Sequence, residues 1–192
     1  MIISRIDHVS IAVSDMDKAL NFFERLLGAR PGAGARDDHM KYQWRMFSLG
    51  DMSRLELLEA TEKGSFLDPF LSDRQGGVHH ITLQTPDIRS AKEALDREAI
   101  PYFGYNEYKE AYWKELFIHP RHAFGVLIQI AEFNADDWLA PQVRMDPDES
   151  FRLTPTDTGC ALSLSHPGGG TVTRDLSRKD MARLLAELKA MI

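Results

Sequence analysis

The sequence is short of cysteine, of net positive charge and of long apolar runs, and each shortage closes off a class of function. A single cysteine, Cys160, among 192 residues excludes an internal disulfide. Twenty-three basic against 29 acidic residues leave a formal charge of −6, which argues against nucleic acid or an anionic membrane as a partner held by bulk electrostatics. No apolar stretch approaches the roughly 20 residues needed to span a bilayer. The opening MIISRIDHVSIAV lacks the layout of a signal peptide, so the expectation is a cytoplasmic protein. With 43% hydrophobic and 27% charged residues, the chain reads as one or two globular domains and not as a disordered one.

What is present is an internal duplication. Ile6-Asp7-His8-Val9-Ser10-Ile11-Ala12-Val13-Ser14-Asp15 aligns with Val78-His79-His80-Ile81-Thr82-Leu83-Gln84-Thr85-Pro86-Asp87, so that His8 and His80, and likewise Asp15 and Asp87, lie 72 positions apart. Downstream, Arg54-Leu55-Glu56-Leu57-Leu58-Glu59 aligns with Leu127-Ile128-Gln129-Ile130-Ala131-Glu132, placing Gln129 73 positions after Glu56.

Periodicity within each copy runs in the same order. Val9, Ile11 and Val13 alternate with His8, Ser10 and Ala12, as on a strand. A helix follows, capped by Asp15, with Met16, Ala19, Leu20, Phe23, Leu26 and Leu27 at three- and four-residue spacing and Gly28 as its stop. In the second copy Asp87 caps a helix whose stripe is Ile88, Ala91, Ala94 and Leu95. Strand-like runs then cover Tyr42 to Leu49, ending at the turn Gly50-Asp51, and Leu55 to Glu59; their counterparts are Trp113 to Ile118 and Val126 to Ala131. A weaker strand falls between helix and hairpin, at Ala29 to Ala35 and Tyr102 to Tyr105.

The pattern predicts an α+β fold: two tandem β-α-β-β-β modules, about 4–60 and 76–133, joined by a linker with one helical turn and forming a curved, half-barrel mixed sheet over residues 1–134. Residues 135–192 form an extension: a loop over 135–158, a hairpin of Cys160 to His166 and Thr171 to Leu176 around Pro167-Gly168-Gly169-Gly170, and a helix capped by Ser177 carrying Met181, Leu184, Leu185, Leu188 and Ile192. That extension is too small to bury a good core alone.

Strand parity sets His8, Glu56, His80 and Gln129 opposite the apolar residues of their own strands. In one curved sheet the first and last strands of each module lie near the middle, and these four side chains converge. Two imidazoles, a carboxylate and an amide oxygen suit a first-row divalent metal with room for water or substrate; Zn, Co, Ni, Mn and Fe all fit the donor set.

Together with Gly76-Gly77-Val78-His79-His80-Ile81, Leu55-Glu56-Leu57-Leu58-Glu59 and the run from Phe117-Ile118-His119-Pro120 to Gly125-Val126-Leu127-Ile128-Gln129, these units resemble the vicinal oxygen chelate superfamily (glyoxalase I, extradiol dioxygenases, antibiotic-binding proteins), and within it methylmalonyl-CoA epimerase-like proteins. The resemblance covers about residues 4–133. It implies a divalent metal on His8, Glu56, His80 and Gln129, a small-molecule substrate chelated through two neighbouring oxygens, and a homodimer. The chemistry it implies is that of a metal-dependent lyase or isomerase, stabilising an enolate after proton abstraction beside a carbonyl or thioester of a small acid or CoA ester. Where such epimerases end on a glutamate that shares in proton transfer, this chain has Gln129, which accepts no proton. Where they carry a glutamate just before the strand corresponding to Tyr42 to Leu49, it has Asp37-Asp38-His39-Met40-Lys41, with Asp38 or His39 as the substitute proton-transfer group. Two rival functions share the fold: an Fe(II) extradiol-type dioxygenase built on two histidines and Glu56, and a non-catalytic binder of a small aromatic or antibiotic.

Blander readings hold for the neighbours. His79 has the opposite parity and is expected to be structural or to support the metal ligands, and Glu59 and Glu132 are expected to be solvated strand ends. Phe103, Tyr105, Tyr108, Tyr112, Trp113, Tyr42 and Trp44 read mainly as packing, Arg45 and Lys114 as exposed, and Asp136-Asp137 and Asp146 to Glu149 as a solvated linker.

Overall fold

The computed structural model describes residues 2–49, 53–108, 113–138, 145–146, 148–166 and 168–192; Gly50-Asp51, Tyr112, Pro147 and Pro167 lie outside them. Among the described residues no helix is long and apolar enough to cross a membrane. The chain divides into two compact units, Met1–Asn134 and Ala135–Ile192.

In the first unit the strands are β1 (Arg5–Val13), β2 (Arg30–Asp37), β3 (Tyr42–Ser48), β4 (Arg54–Ala60), β5 (Gly76–Gln84), β6 (Phe103–Tyr108), β7 (Trp113–Ile118) and β8 (Leu127–Glu132). The helices are α1 (Met16–Leu20), α2 (Asp68–Leu71) and α3 (Ile88–Arg97). All eight strands form one sheet in the order β2-β3-β4-β1-β5-β8-β7-β6, with the two modules meeting where β1 and β5 pair antiparallel. Each module's first strand pairs parallel with its last, so β4, β1, β5 and β8 occupy the centre. The sheet curls into a half-barrel. Tyr42 on β3 lies within electrostatic reach of Glu115 on β7, and five strand spacings would hold them roughly 24 Å apart on a flat sheet.

One face of this sheet carries α1 and α3, while α2 packs through Phe70 and Leu71 on the other, against Ala12 and Leu58. Ile11, Val13 and Leu57 join Met16, Ala19, Phe23 and Phe47 in the first module's core, and Ile88, Ala91, Leu116, Ile118 and Ile130 form the second's. Each fully buried Leu, Ile or Phe here contributes about 1.5–3 kcal/mol. The first helix departs from its sequence pattern. After Leu20 it continues as a π-helix over Asn21–Leu26, with the Leu27 amide donating to the Phe22 carbonyl at 3.0 Å. The wider ring turns fewer degrees per residue, which rotates Leu26 and Leu27 off the buried stripe and leaves them 70% and 59% exposed.

Glu59 and Glu132 are not idle strand ends. Glu59 accepts the Met16 amide at 2.7 Å and Glu132 the Ile88 amide at 2.8 Å, so the last strand of each module ties down the first turn of that module's helix. Each carboxylate also complements the positive end of the helix dipole. Glu59→Ala and Glu132→Ala are each expected to cost about 1 kcal/mol, read as a fall in chemical-denaturation midpoint at unchanged m-value. Wild-type midpoints in both variants would return these residues to the solvated role.

Gly76 opens β5 where a Cβ would stand 2.8 Å from the Ala12 carbonyl oxygen, so the seam between the modules requires glycine at this point.

In the second unit the expected hairpin gains a third strand. β9 (Phe151–Thr156), β10 (Gly159–Ser165) and β11 (Thr171–Ser177) form an antiparallel sheet with β10 in the middle, followed by α4 (Arg178–Lys189). Residues 151–156 read as loop because Pro155 and the surrounding threonines and aspartates mask a short Phe-Arg-Leu alternation. On an edge strand Pro155 is tolerated, since one side of its backbone needs no partner. A short 3₁₀ turn, Ala135–Trp138, precedes the sheet, and Asp136 there accepts the Gly170 amide at 2.7 Å. Ser177 and Asp180 cap α4 reciprocally.

Candidate metal centre

On the face away from α1 and α3, the central four strands bring His8, Glu56 and His80 together, one ligand-type atom from each lying within 4.8 Å of the others. The register explains how. Ser10 on β1 pairs with Glu56 on β4 and with His80 on β5, while His8 pairs with Thr82, which in turn pairs with Gln129 on β8. Two neighbouring rows across the sheet thus hold the whole set.

The two halves of the set mirror one another. Ser10 Oγ donates to Glu56 and lies 2.8 Å from His80 Nε2. Thr82 Oγ1 donates to Gln129 Oε1 at 2.5 Å and lies 2.8 Å from His8 Nε2. Each hydroxyl therefore links its own module's last-strand residue to the histidine of the other module. Sequence reasoning passed over both, although they share the 72-residue offset of the histidines.

Behind His8 stands a buried ionic group that the sequence did not disclose. Asp7 accepts His8 Nδ1–H at 2.7 Å, Arg54 Nη2 at 2.5 Å from each carboxylate oxygen, and a further bond from Arg5. Arg54 also lies over the Phe133 ring, 5.3 Å from its centroid. The carboxylate fixes the His8 ring with Nε2 facing the centre. In the second module the position of Asp7 is taken by His79, whose Nδ1 lies 3.0 Å from His80 Nδ1. Since Ser10 gives its one proton to Glu56, a neutral His80 donates from Nε2 to Ser10 and accepts at Nδ1 from His79. His79 also meets Phe66 and Phe70 edge-on.

Charge follows from these contacts. Burial alone would lower the His8 imidazole, but its bond to Asp7 and the nearby Glu56 carboxylate raise it above its ordinary value. Burial would raise Glu56; the positive charge on His8, 3.7 Å away, and the bond from Ser10 hold it below the usual carboxylate range. His80 is pushed down to about 3 by burial, against the pull of Glu56. At neutral pH the centre thus holds a Glu56 carboxylate and a neutral His80.

The donor chemistry fits a divalent ion. His8 Nε2 and His80 Nε2 stand 3.7 and 3.6 Å from Glu56 Oε2, and ligand atoms about 2.1 Å from a first-row metal sit about 3.0–3.4 Å from each other, so a small contraction suffices. Gln129 borders the set through Thr82, and its amide nitrogen donates to Glu115 Oε2 at 2.6 Å. Asp38 and His39 are not among the converging ligands and are exposed on the turn between β2 and β3; Asp38 pairs with Arg36 at 2.6 Å. Beside the centre, Ala12 and Leu58 continue the same strand faces into an apolar wall with Leu67, Tyr42 and Trp44. Burial, with Glu56, Asp37 and Glu115 nearby, pushes the Tyr42 phenol up.

Residues 7–117 match the model of the glyoxalase/bleomycin resistance protein/dioxygenase superfamily. Ethylmalonyl-CoA/methylmalonyl-CoA epimerase of Cereibacter sphaeroides is 32% identical over 133 residues, a match covering 68% of this chain and 98% of that one. The mitochondrial methylmalonyl-CoA epimerase of Homo sapiens is 29% identical over 132 residues, covering 68% and 74%. Among solved structures, methylmalonyl-CoA epimerase from Mycobacterium tuberculosis superposes with a TM-score of 0.63 at 24% identity, over 69% of this chain and 90% of that chain. None of these matches spans the whole chain. A half-barrel of two β-α-β-β-β modules and the match over residues 7–117 together place the chain in the glyoxalase/bleomycin resistance protein/dioxygenase superfamily.

Proposed function

We propose that this protein is a metal-dependent isomerase that moves a proton at the carbon beside the thioester carbonyl of a small acyl-CoA. The reading rests above all on the convergence of His8, Glu56 and His80, in a chain whose relatives are named as epimerases of such esters. His8, Glu56, His80 and the Gln129 amide would hold a divalent ion, which would supply Lewis-acid polarisation of the substrate carbonyl.

The chain's own groups divide the rest of the work. Ala12, Leu58, Tyr42 and Trp44 offer an apolar wall for the acyl chain and keep water from the reacting carbon. Gln129 carries no carboxyl and takes no proton. Of the two side chains on the β2–β3 turn, Asp38 is engaged by Arg36, while His39 is exposed and shows no hydrogen bond or ion pair. We assign the proton transfer to His39, with Asp38 as its neighbour on the turn.

Methylmalonyl-CoA incubated with Co(II)-loaded protein in D₂O is expected to take up deuterium at its α-carbon. His39→Ala is expected to slow the exchange about 10²- to 10⁴-fold, the usual worth of a general base, and Asp38→Ala to leave it within about threefold. Wild-type protein that exchanges no deuterium sinks the reading. One observation favours a second: two histidines and a carboxylate are also the donor set of ferrous oxygenases. Oxygen uptake on a catechol with Fe(II), without α-proton exchange, would move the assignment there.

A further inference from the structure

Glu115 is a half-buried carboxylate on β7, and neither the repeat nor the proposed reaction accounts for it. Its Oε2 receives two hydrogen bonds, from Gln129 Nε2 at 2.6 Å and from Trp113 Nε1 at 2.9 Å. The far side of the Gln129 amide meets Thr82 at 2.5 Å, and Thr82 in turn touches His8 Nε2. A glutamine amide can be turned either way at this position, and one end differs from the other only by oxygen and nitrogen. An ionised carboxylate accepts and never donates, so with Glu115 on one side the amide nitrogen must face β7 and the oxygen must face the histidines.

We propose that Glu115 is a positioning residue that aims the Gln129 carbonyl oxygen into the metal centre, doing for Gln129 what Asp7 does for His8. This rests on the metal-centre reading above and extends it to the fourth donor. An amide that presented its nitrogen instead would offer the ion two hydrogens and no lone pair. The role depends on an acceptor atom at position 115 and not on its charge, which separates it from a general electrostatic effect.

The test is Co(II) affinity, read by competition with a chromophoric chelator on the full chain. Glu115→Leu is expected to weaken binding about 10- to 100-fold, the usual effect of losing a group that orients a ligand. Glu115→Gln keeps an accepting oxygen and is expected to stay within about threefold of wild type, the margin within which such an orienting contact is retained. In a Gln129→Leu background, Glu115→Leu is expected to add nothing, because its effect runs through the amide. Glu115→Ala repeats the comparison if the leucine variant does not fold. Unchanged affinity in Glu115→Leu overturns the proposal. So does a Glu115→Gln variant as weak as Glu115→Leu, or a loss that adds to that of Gln129→Leu. Wild-type protein that takes up no Co(II) overturns the centre itself, and this role with it, whereas failure confined to the variants leaves the centre standing.

Discussion

Glu56→Ala and His80→Ala are each expected to yield protein purified without a divalent ion, where wild type purified without chelators carries close to one equivalent. The size of the effect follows from sharing a typical binding energy among donors. Tight protein sites of four ligands bind with about 10–16 kcal/mol, so each donor carries roughly 3 kcal/mol, a factor above about 100 in affinity. Glu56 matters further as the carboxylate within the ligand set His8, Glu56 and His80, so its loss leaves the ion's charge uncompensated in a buried site. Inductively coupled plasma mass spectrometry of the three proteins checks the result, and deuterium exchange is expected to fall with the metal. Variants that hold metal as wild type does would mean that the ion sits elsewhere, and native protein that neither carries nor takes up metal would favour a binding protein of the same fold.

The second large effect lies one residue away and concerns stability. Asp7→Ala leaves Arg54, only 7% exposed, without the carboxylate that it grips through both oxygens, and it strips His8 of its partner. Removing one member of a buried ion pair costs about 3–5 kcal/mol, a large share of the total stability of a domain this size. The pH dependence carries the same signature. Burial alone would raise the Asp7 carboxyl, but the hydrogen bond with His8 and the charges of Arg54 and Arg5 hold it below its ordinary value in the folded state. A group depressed in this way contributes stability that is fully present above the unfolded value, about 3.9, and is lost as pH falls through the lower folded value. Wild type is therefore expected to lose stability steeply below about pH 4, and Asp7→Asn to show both a lower plateau at neutral pH and a shallower acid limb, measured by urea denaturation across pH. An acid limb of unchanged slope in Asp7→Asn would remove Asp7 from this account.

How far the sequence disclosed these features depends on whether a residue's role is local or set by pairing. His8 and His80 were legible because the repeat set them in register, and Glu56 and Gln129 because strand parity put them on the same face. Asp7 was in plain view within the repeat, but its partner Arg54 lies 47 positions away, and only the parallel pairing of β1 with β4 brings the two together. Pairing registers of that kind leave no periodic trace. Glu59 and Glu132 were misjudged for the same reason, since a strand-end carboxylate and the first turn of a helix meet only once the helix has packed. Leu26 and Leu27 fit the helical stripe on paper and missed the core because the turn widened beneath them. Asp38 and His39 came from resemblance to a family and not from any pattern in the chain, and their placement on an exposed turn leaves their role to the exchange experiment.

The crossed hydroxyl bonds carry a consequence for how the protein holds together. Ser10 reaches the histidine of the second half, Thr82 that of the first, and among the described residues the two strands that bear them form the junction by which the halves share a sheet. Neither half alone holds all of the proposed ligands, so an ion bound there would act as a rivet across the duplication joint. Loading it stabilises the docked state by mass action and leaves each isolated half unaffected. Two separately expressed halves, 2–60 and 76–133, would then find each other more readily in the presence of metal.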